Sequence, residues 1–244
     1  MEDIDEARCR PKFTEALIED LRWFGMDWQE GPDVGGPFVP YVQSERKQFY
    51  LEALRQLWDG GWVYGCSCSR KDVAEAAVAP HAEHDEPIYP GTCRDLKRAN
   101  SFEELLSGEL NCRFRVPGGE TIRFVDERQG EQTAVSGKDF GDFVVWRRDG
   151  VPAYHLAVVT DDIAMKITDV VRGEDLLLST FRHLLLYRAL KAQAPKYFHT
   201  SLGVDEEGKR LAKRHASLSL RALRERGEKP EEIRKRFCQR EERS

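Results

Sequence analysis

Three groups of residues have types and spacings that could do chemistry. Cys66 and Cys68 stand two positions apart, and Cys93 closes the run Tyr89-Pro-Gly-Thr-Cys93. Two thiolates at that spacing can share one tetrahedral ion where the backbone turns between them; a third thiolate and one oxygen or nitrogen donor complete the shell. Tyr89 is an unusual fourth donor, and His81 or His84 in the polar loop between could take its place. The gap is shorter than in most structural zinc sites, so buried reduced cysteines without metal are the competing reading. The second group, Val170-Val171-Arg172-Gly173-Glu174-Asp175, falls where a β-like run gives way to a helical one. An open parallel sheet binds ligands at such strand ends: an arginine there offers a fork to carboxylate or phosphate, and Gly173 lets backbone approach closely. A surface turn with an Arg–Glu pair is the alternative. In the third group, a loop containing Gly208 runs into four cations in six residues, Lys209, Arg210, Lys213 and Arg214. Mobile cations suit the transient charge of a phosphoryl or adenylyl transition state, although a charge run is more often a solvated face.

Elements must hold these groups in place, and the composition permits them. The 244 residues suffice for one large domain or two small ones with a sizeable core. With 40% hydrophobic and 33% charged residues the chain is globular in composition, not disordered. Its net charge of −5 excludes a wholly basic nucleic-acid coat, yet the segment from Lys209 to Ser244 carries 13 basic against 6 acidic residues, a local +7. Leu176 to Leu190 is the most apolar stretch, and Ser179, Thr180, Arg182, His183 and Arg188 interrupt it, so no membrane span is expected. The acidic start from Met1 to Asp5 lacks the features of a leader, and a cytoplasmic location is expected. A chain this long and this rich in apolar residues needs no disulfide staples, so reduced thiols or metal ligands are expected, and Cys9, Cys112 and Cys238 are assigned to packing or chance.

Phe13, Leu17, Leu21 and Phe24 recur at helical spacing between Pro11 and Gly25. A second helix is predicted from Ser44, as N-cap, through Phe49, Leu51, Leu54 and Leu57 to Gly60. Both read as amphipathic layers on a sheet. From Tyr64 to about Gly141 the texture becomes irregular, with short β-like runs at Cys112 to Val116 and Thr121 to Val125. Strand-like runs return at Phe143 to Trp146, Tyr154 to Thr160 and Lys166 to Val171, ahead of a helix over Leu176 to Ala192, which predicts a parallel α/β sheet. The charged C-terminus reads as a solvated helix.

Taken in order, these pieces resemble the catalytic part of the class I glutamyl-tRNA synthetases over essentially the whole chain. The resemblance rests on Glu2-Asp-Ile-Asp5 with Arg8, on Trp23-Phe-Gly-Met-Asp27-Trp28, on Pro152-Ala-Tyr154-His-Leu-Ala-Val-Val-Thr-Asp161-Asp162, on Met165 through Arg172 to Asp175, and on Lys209-Arg-Leu-Ala-Lys213-Arg214, which is similar to a K-M-S-K-S loop. The cysteine arrangement with its Tyr-Pro-Gly-Thr-Cys run resembles the short branch of that family, which glutamylates queuosine in tRNA(Asp). The chain ends about thirty residues after the lysine loop, where a full synthetase would continue into an anticodon-binding domain.

The resemblance implies an α/β fold: a Rossmann-like parallel sheet of the class I type, lacking its N-terminal part, with a zinc-containing insertion and a helical C-terminal end. The domains implied are 1–63, the remainder of the first catalytic half; 64–141, the zinc insertion; 142–204, the second half; and 205–244, the lysine loop and final helices. It implies ATP-dependent activation of L-glutamate and transfer to queuosine at the wobble position of tRNA(Asp), by a monomer. Glu2 would engage the substrate ammonium, Tyr154 would line the amino-acid pocket and Arg172 would pair with a substrate carboxylate. Lys213 would neutralise phosphate charge as the catalytic cation; Gly173, Glu174 and Asp175 would lie near the nucleotide, with Mg²⁺ accompanying ATP. Zinc would sit on Cys66, Cys68, Tyr89 and Cys93. The family's P-S-P-T-G and H-I-G-H segments have no counterpart ahead of Glu2, so a misassigned start or a truncated reading frame is expected. In the lysine loop Arg210 and Ala212 replace the usual lysine and serine. Competing readings are a truncated synthetase charging tRNA(Glu), a non-catalytic tRNA-binding remnant, and a zinc-stabilised interaction module.

Overall fold

Residues 1–4, 9–76, 88–202 and 219–241 are described by the structure, a computed structural model, with side chains excepted at 74–76 and 237–241. The chain forms two units, Met1–Glu45 with Leu202–Ser244, and Arg46–Ser201. In the first, α1 (Pro11–Trp23) starts at the proline, whose missing N–H costs nothing there, and Gly25 at φ +84° turns the chain away after it. The predicted apolar stripe exists but is not packed as a layer: Phe13 and Leu17 are exposed and no residue of α1 is buried. Its acidic side is engaged instead, with Glu19 and Asp20 taking ion pairs from Arg221 and Arg224 at 2.8–3.1 Å. Ser44 does not cap a helix. Its N–H and hydroxyl both bond the Asp3 carboxylate, at 2.8 and 2.7 Å.

The second unit opens with α2 (Lys47–Asp59), which buries Tyr50, Leu54 and Leu57 along one face. There follow β1 (Val63–Cys66), α3 (Arg70–Ala76), α4 (Phe102–Leu105), β2 (Asn111–Phe114), β3 (Thr121–Asp126), β4 (Gly130–Val135), β5 (Phe143–Trp146), α5 (Tyr154–Ala164), β6 (Asp169–Gly173), α6 (Leu177–Ala189) and β7 (Lys196–Thr200). The first unit closes with α7 (Leu220–Glu225), capped by Ser219, and α8 (Pro230–Glu241).

Two sheets result. One is antiparallel in the order β1-β2-β5, and the other runs β4-β3-β7-β6, with β3–β4 a hairpin and the β3–β7 and β7–β6 pairings parallel. The mixed α/β class expected from sequence is present, but the parallel pairing includes neither β5 nor the run Tyr154 to Thr160. That run is the helix α5. Leu156-Ala-Val-Val-Thr160 is an unbroken apolar stretch that fits strand and helix alike, and the fold settles it by burying Leu156, Ala157, Val159, Thr160 and Asp161 in a helix that packs on α2 and α6. Strand β3 comes from the stretch read as insertion, yet it shares a sheet with β7. Gly130, at φ +73°, supplies the left-handed residue that closes the β3–β4 turn.

Candidate active site and metal centre

The parallel register pairs Arg172 at the end of β6 with His199 on β7, and Asp126 at the end of β3 with Tyr197. Paired residues project to the same face, as do residues two apart on a strand, so Arg172, His199 and Asp126 share one side of the sheet, against α6. Arg172 Nε donates to His199 Nε2 at 3.1 Å, Nη1 to His183 Nδ1 at 3.2 Å, and Nη2 to Thr180 Oγ1 at 2.6 Å and to the Leu176 carbonyl at 3.3 Å. Every acceptor is neutral, and among the described residues no carboxylate lies within 4 Å of the guanidinium.

The donors fix the tautomers. A guanidinium can only donate, so His199 must accept at Nε2 and carry its proton on Nδ1, 2.6 Å from Asp126 Oδ2. Both side chains of that pair are fully buried. Asp126 also accepts the backbone N–H groups of Arg128, Gln129 and His199. Burial pushes its carboxyl up, but these bonds, His199 first, outweigh that and hold it below the usual aspartate range. By the same logic His183 accepts at Nδ1 and donates from Nε2 to His155 Nδ1 at 3.0 Å. Tyr154, half-exposed at the start of α5, sets its ring 5.7 Å from that of His183. The arrangement is a cation at the end of a parallel strand, held by neutral groups beside an aromatic wall, and it can receive an anionic group.

Burial, with the Arg182 and Arg172 charges added, holds His155 down to about 3, and burial likewise holds His183 well below the ordinary value. Unfolded histidine takes its proton near 6.5, so below that pH the unfolded chain binds more protons than the folded one. Stability is therefore full above about pH 6.5 and falls toward pH 3, by up to about 1.4 kcal/mol per pH unit for each ring. Urea unfolding midpoints should drop from pH 7 to pH 5.5, and more shallowly in His155→Asn. Parallel profiles for the two proteins would remove these rings from the account.

The predicted site residues are distributed as follows. Tyr154 and Arg172 come together through His183. Gly173 ends β6 at φ −70°, a value open to any residue, so its conformation does not require glycine. Glu174 and Asp175 form the 3₁₀ turn before α6, where Glu174 accepts from the Gln129 amide at 3.3 Å. Glu2 is exposed in the first unit, on a strap whose Met1 carbonyl accepts from Gln43 N–H. Lys213, His81 and His84 lie outside the described residues. Asp126, Thr180, His183 and His199 were not picked out from sequence; the one local signal was alternation in Tyr197-Phe-His199, where the buried position holds a histidine.

The cysteine group assembles. Cys66 and Cys68 flank the end of β1, and Cys93 follows Tyr89 in a turn that places all three Sγ atoms within 4.8 Å of one another. Cys68 Sγ is 3.6 Å from Cys93 Sγ, while Tyr89 Oη is 3.4 Å from Cys66 Sγ and 3.6 Å from Cys68 Sγ. A tetrahedral ion with bonds of about 2.3 Å to sulfur and about 2.0 Å to oxygen has S···S edges of roughly 3.8 Å and S···O edges of roughly 3.5 Å. The Cys68–Cys93, Tyr89–Cys66 and Tyr89–Cys68 edges lie close to these values. Burial pushes the Cys93 thiol up, but the Ser67 N–H and the Tyr89 hydroxyl outweigh it and hold it down to about 6. Cys112 is fully buried and outside the group, a packing residue as expected.

A mixed sheet with parallel pairing, a strand-end arginine and a cysteine cluster accord with the catalytic domain of a class I tRNA synthetase. The chain belongs to that family: residues 1–241 match the tRNA synthetases class I (E and Q), catalytic domain. It is 50% identical over 228 residues to the glutamyl-Q tRNA(Asp) synthetase of Nitratidesulfovibrio vulgaris, covering 93% of this chain and 70% of the relative. Identity to the enzyme of that name from Symbiobacterium thermophilum is 48%, over 96% of this chain and 72% of the relative. Glutamate–tRNA ligase 1 of Halorhodospira halophila is 43% identical over 95% of this chain, which spans 48% of that protein. Among solved structures, glutamate-tRNA synthetase from Elizabethkingia anophelis superposes with a TM-score of 0.74 at 33% identity, over 87% of this chain and 45% of its own. These relatives are ligases, and among the described residues no helix is long and apolar enough to cross a membrane.

Proposed function

We propose that the protein activates L-glutamate with ATP and transfers the glutamyl group to queuosine at the wobble position of tRNA(Asp). The observation that carries this reading is the Arg172 guanidinium, held by four neutral acceptors beside Tyr154 and, among the described residues, by no carboxylate. A cation so held keeps its charge for a ligand: of its five N–H groups four are engaged, and the remaining Nη1 N–H can donate to one oxygen of a carboxylate. Tyr154 would cover the aliphatic part of the substrate, and Glu2 would take its ammonium. Lys213, with Mg²⁺ on ATP, would neutralise charge developing on the phosphates, near Gly173, Glu174 and Asp175. The choice of queuosine in tRNA(Asp) follows the names of the relatives at 50% and 48% identity. The division into 1–63, 64–141, 142–204 and 205–244 belongs to the same proposal. Glutamate-dependent exchange of pyrophosphate into ATP, without tRNA, tests the activation step: exchange is expected with L-glutamate, and its absence in the full natural chain would defeat the reading.

Zinc is the proposed occupant of the Cys66, Cys68, Tyr89, Cys93 set. It would supply folding energy to this part of the chain and no step of the reaction. Cys93→Ser should drop zinc content from about one equivalent to near zero and lower the thermal midpoint, as read by metal analysis and scanning calorimetry. Zinc retained in full by that variant and by Cys66→Ser would remove the metal site.

A further inference from the structure

Arg113 is only 8% exposed, and among the described residues no carboxylate lies within 4 Å of it. A guanidinium stays protonated in proteins, and a buried charge without a counter-ion is strongly unfavourable. Its surroundings show what the counter-ion is. The β1–β2 register sets Arg113 opposite Tyr64, hence on the face that two residues later carries Cys66. Arg113 Nε donates to Cys66 Sγ at 3.3 Å, its guanidinium carbon stands 3.9 Å from the centre of the Tyr89 ring, and Nη1 donates to the Asp142 backbone carbonyl at 3.1 Å. The Asp142 carboxylate is occupied elsewhere, by Arg94, the Val116 N–H and the Tyr64 hydroxyl. The cation thus touches two of the four prospective ligands. Three thiolates on a divalent ion leave excess negative charge in a buried place.

We propose that Arg113 is the buried counter-ion of the metal centre. It neutralises the excess charge of the loaded site through its bond to Cys66 and its contact with the Tyr89 ring, so that Arg113 and zinc stabilise each other. The inference rests on the zinc reading above and adds a residue to it that does not ligate the metal. It explains why a buried arginine with no carboxylate partner among the described residues is tolerated: its partner is the Cys66 sulfur, which is a thiolate when it ligates the metal.

The test uses Arg113→Met and Arg113→Lys in the full chain, with zinc affinity from competition against a chromogenic chelator and thermal midpoints before and after EDTA. Arg113→Met should bind zinc about 10–100-fold more weakly, the usual effect of losing a group that supports a ligand. Chelation should lower its midpoint less than it lowers that of the parent, because the metal-free parent carries an uncompensated charge that the variant lacks. Arg113→Lys should recover part of the affinity, and it reports on the charge if the methionine variant does not fold. Unchanged zinc affinity, or a midpoint lowered equally with and without zinc, would make Arg113 a packing residue and overturn the proposal. A parent protein that takes up no zinc would overturn the zinc reading and the counter-ion together, and its own metal content tells that case apart.

Discussion

Arg172→Ala is expected to lower kcat/KM for glutamate in ATP–pyrophosphate exchange by about 30-fold to several thousand-fold. Leaving a desolvated carboxylate without its charged partner costs about 2–5 kcal/mol, and each 1.4 kcal/mol is a factor of about ten. The loss should fall on glutamate, with the KM for ATP little changed, because the guanidinium projects among Thr180, His183 and His199. Arg172→Lys should recover only a small part: an ammonium keeps the charge, but its three N–H groups cannot bond His199, His183 and Thr180 and still donate to the substrate. Thermal midpoints of both variants separate this from unfolding. Activity of Arg172→Ala within a few-fold of the parent would show that the pocket has been misplaced.

The second large effect is expected one bond further back. His199 links Asp126 to Arg172, accepting from the guanidinium at 3.1 Å and donating to the carboxylate at 2.6 Å. Glutamine can place an amide oxygen where Nε2 was, whereas asparagine reaches only as far as Nδ1. His199→Gln should therefore keep glutamate kcat/KM within a few-fold. His199→Asn keeps the contact to Asp126 but leaves Arg172 Nε unpaired, and should lose about 5- to 100-fold, from the roughly 1–3 kcal/mol cost of a buried donor without a partner. Both variants should lose some stability. A positioning role predicts the split in activity; equal activities in the two would reduce His199 to packing.

Much of the chain could be read from local pattern. Helices α1 and α2, strands β2, β3 and β6 and the helix α6 follow from periodicity and from their flanking glycines and prolines. The cysteine trio and the strand-end arginine were visible because each is compact in sequence. What local pattern missed depends on distant partners. Tyr154 to Thr160 forms a helix because Asp161, at its end, is drawn inward to Arg46 at 2.6 Å and to the Tyr50 hydroxyl at 3.0 Å, more than a hundred residues earlier. Asp126 and His199 are 73 residues apart, and only the parallel pairing of β3 with β7 shows that one orients the other. Ser44 had the right type for a cap, but Asp3 claimed its hydroxyl. Arg113 sits beside Cys112, the cysteine outside the cluster, and meets Cys66 only across the β1–β2 pairing.

The central claim, a glutamyl transfer to modified tRNA(Asp), is tested most directly by offering the full natural chain labelled glutamate, ATP and two acceptors side by side: tRNA(Asp) bearing queuosine and tRNA(Glu). Label should appear on queuosine-containing tRNA(Asp), be absent from the same tRNA lacking the modification, and be absent from tRNA(Glu). Charging of tRNA(Glu) with none on tRNA(Asp) would contradict the account and place the protein with the glutamate–tRNA ligases it also matches at 43% identity.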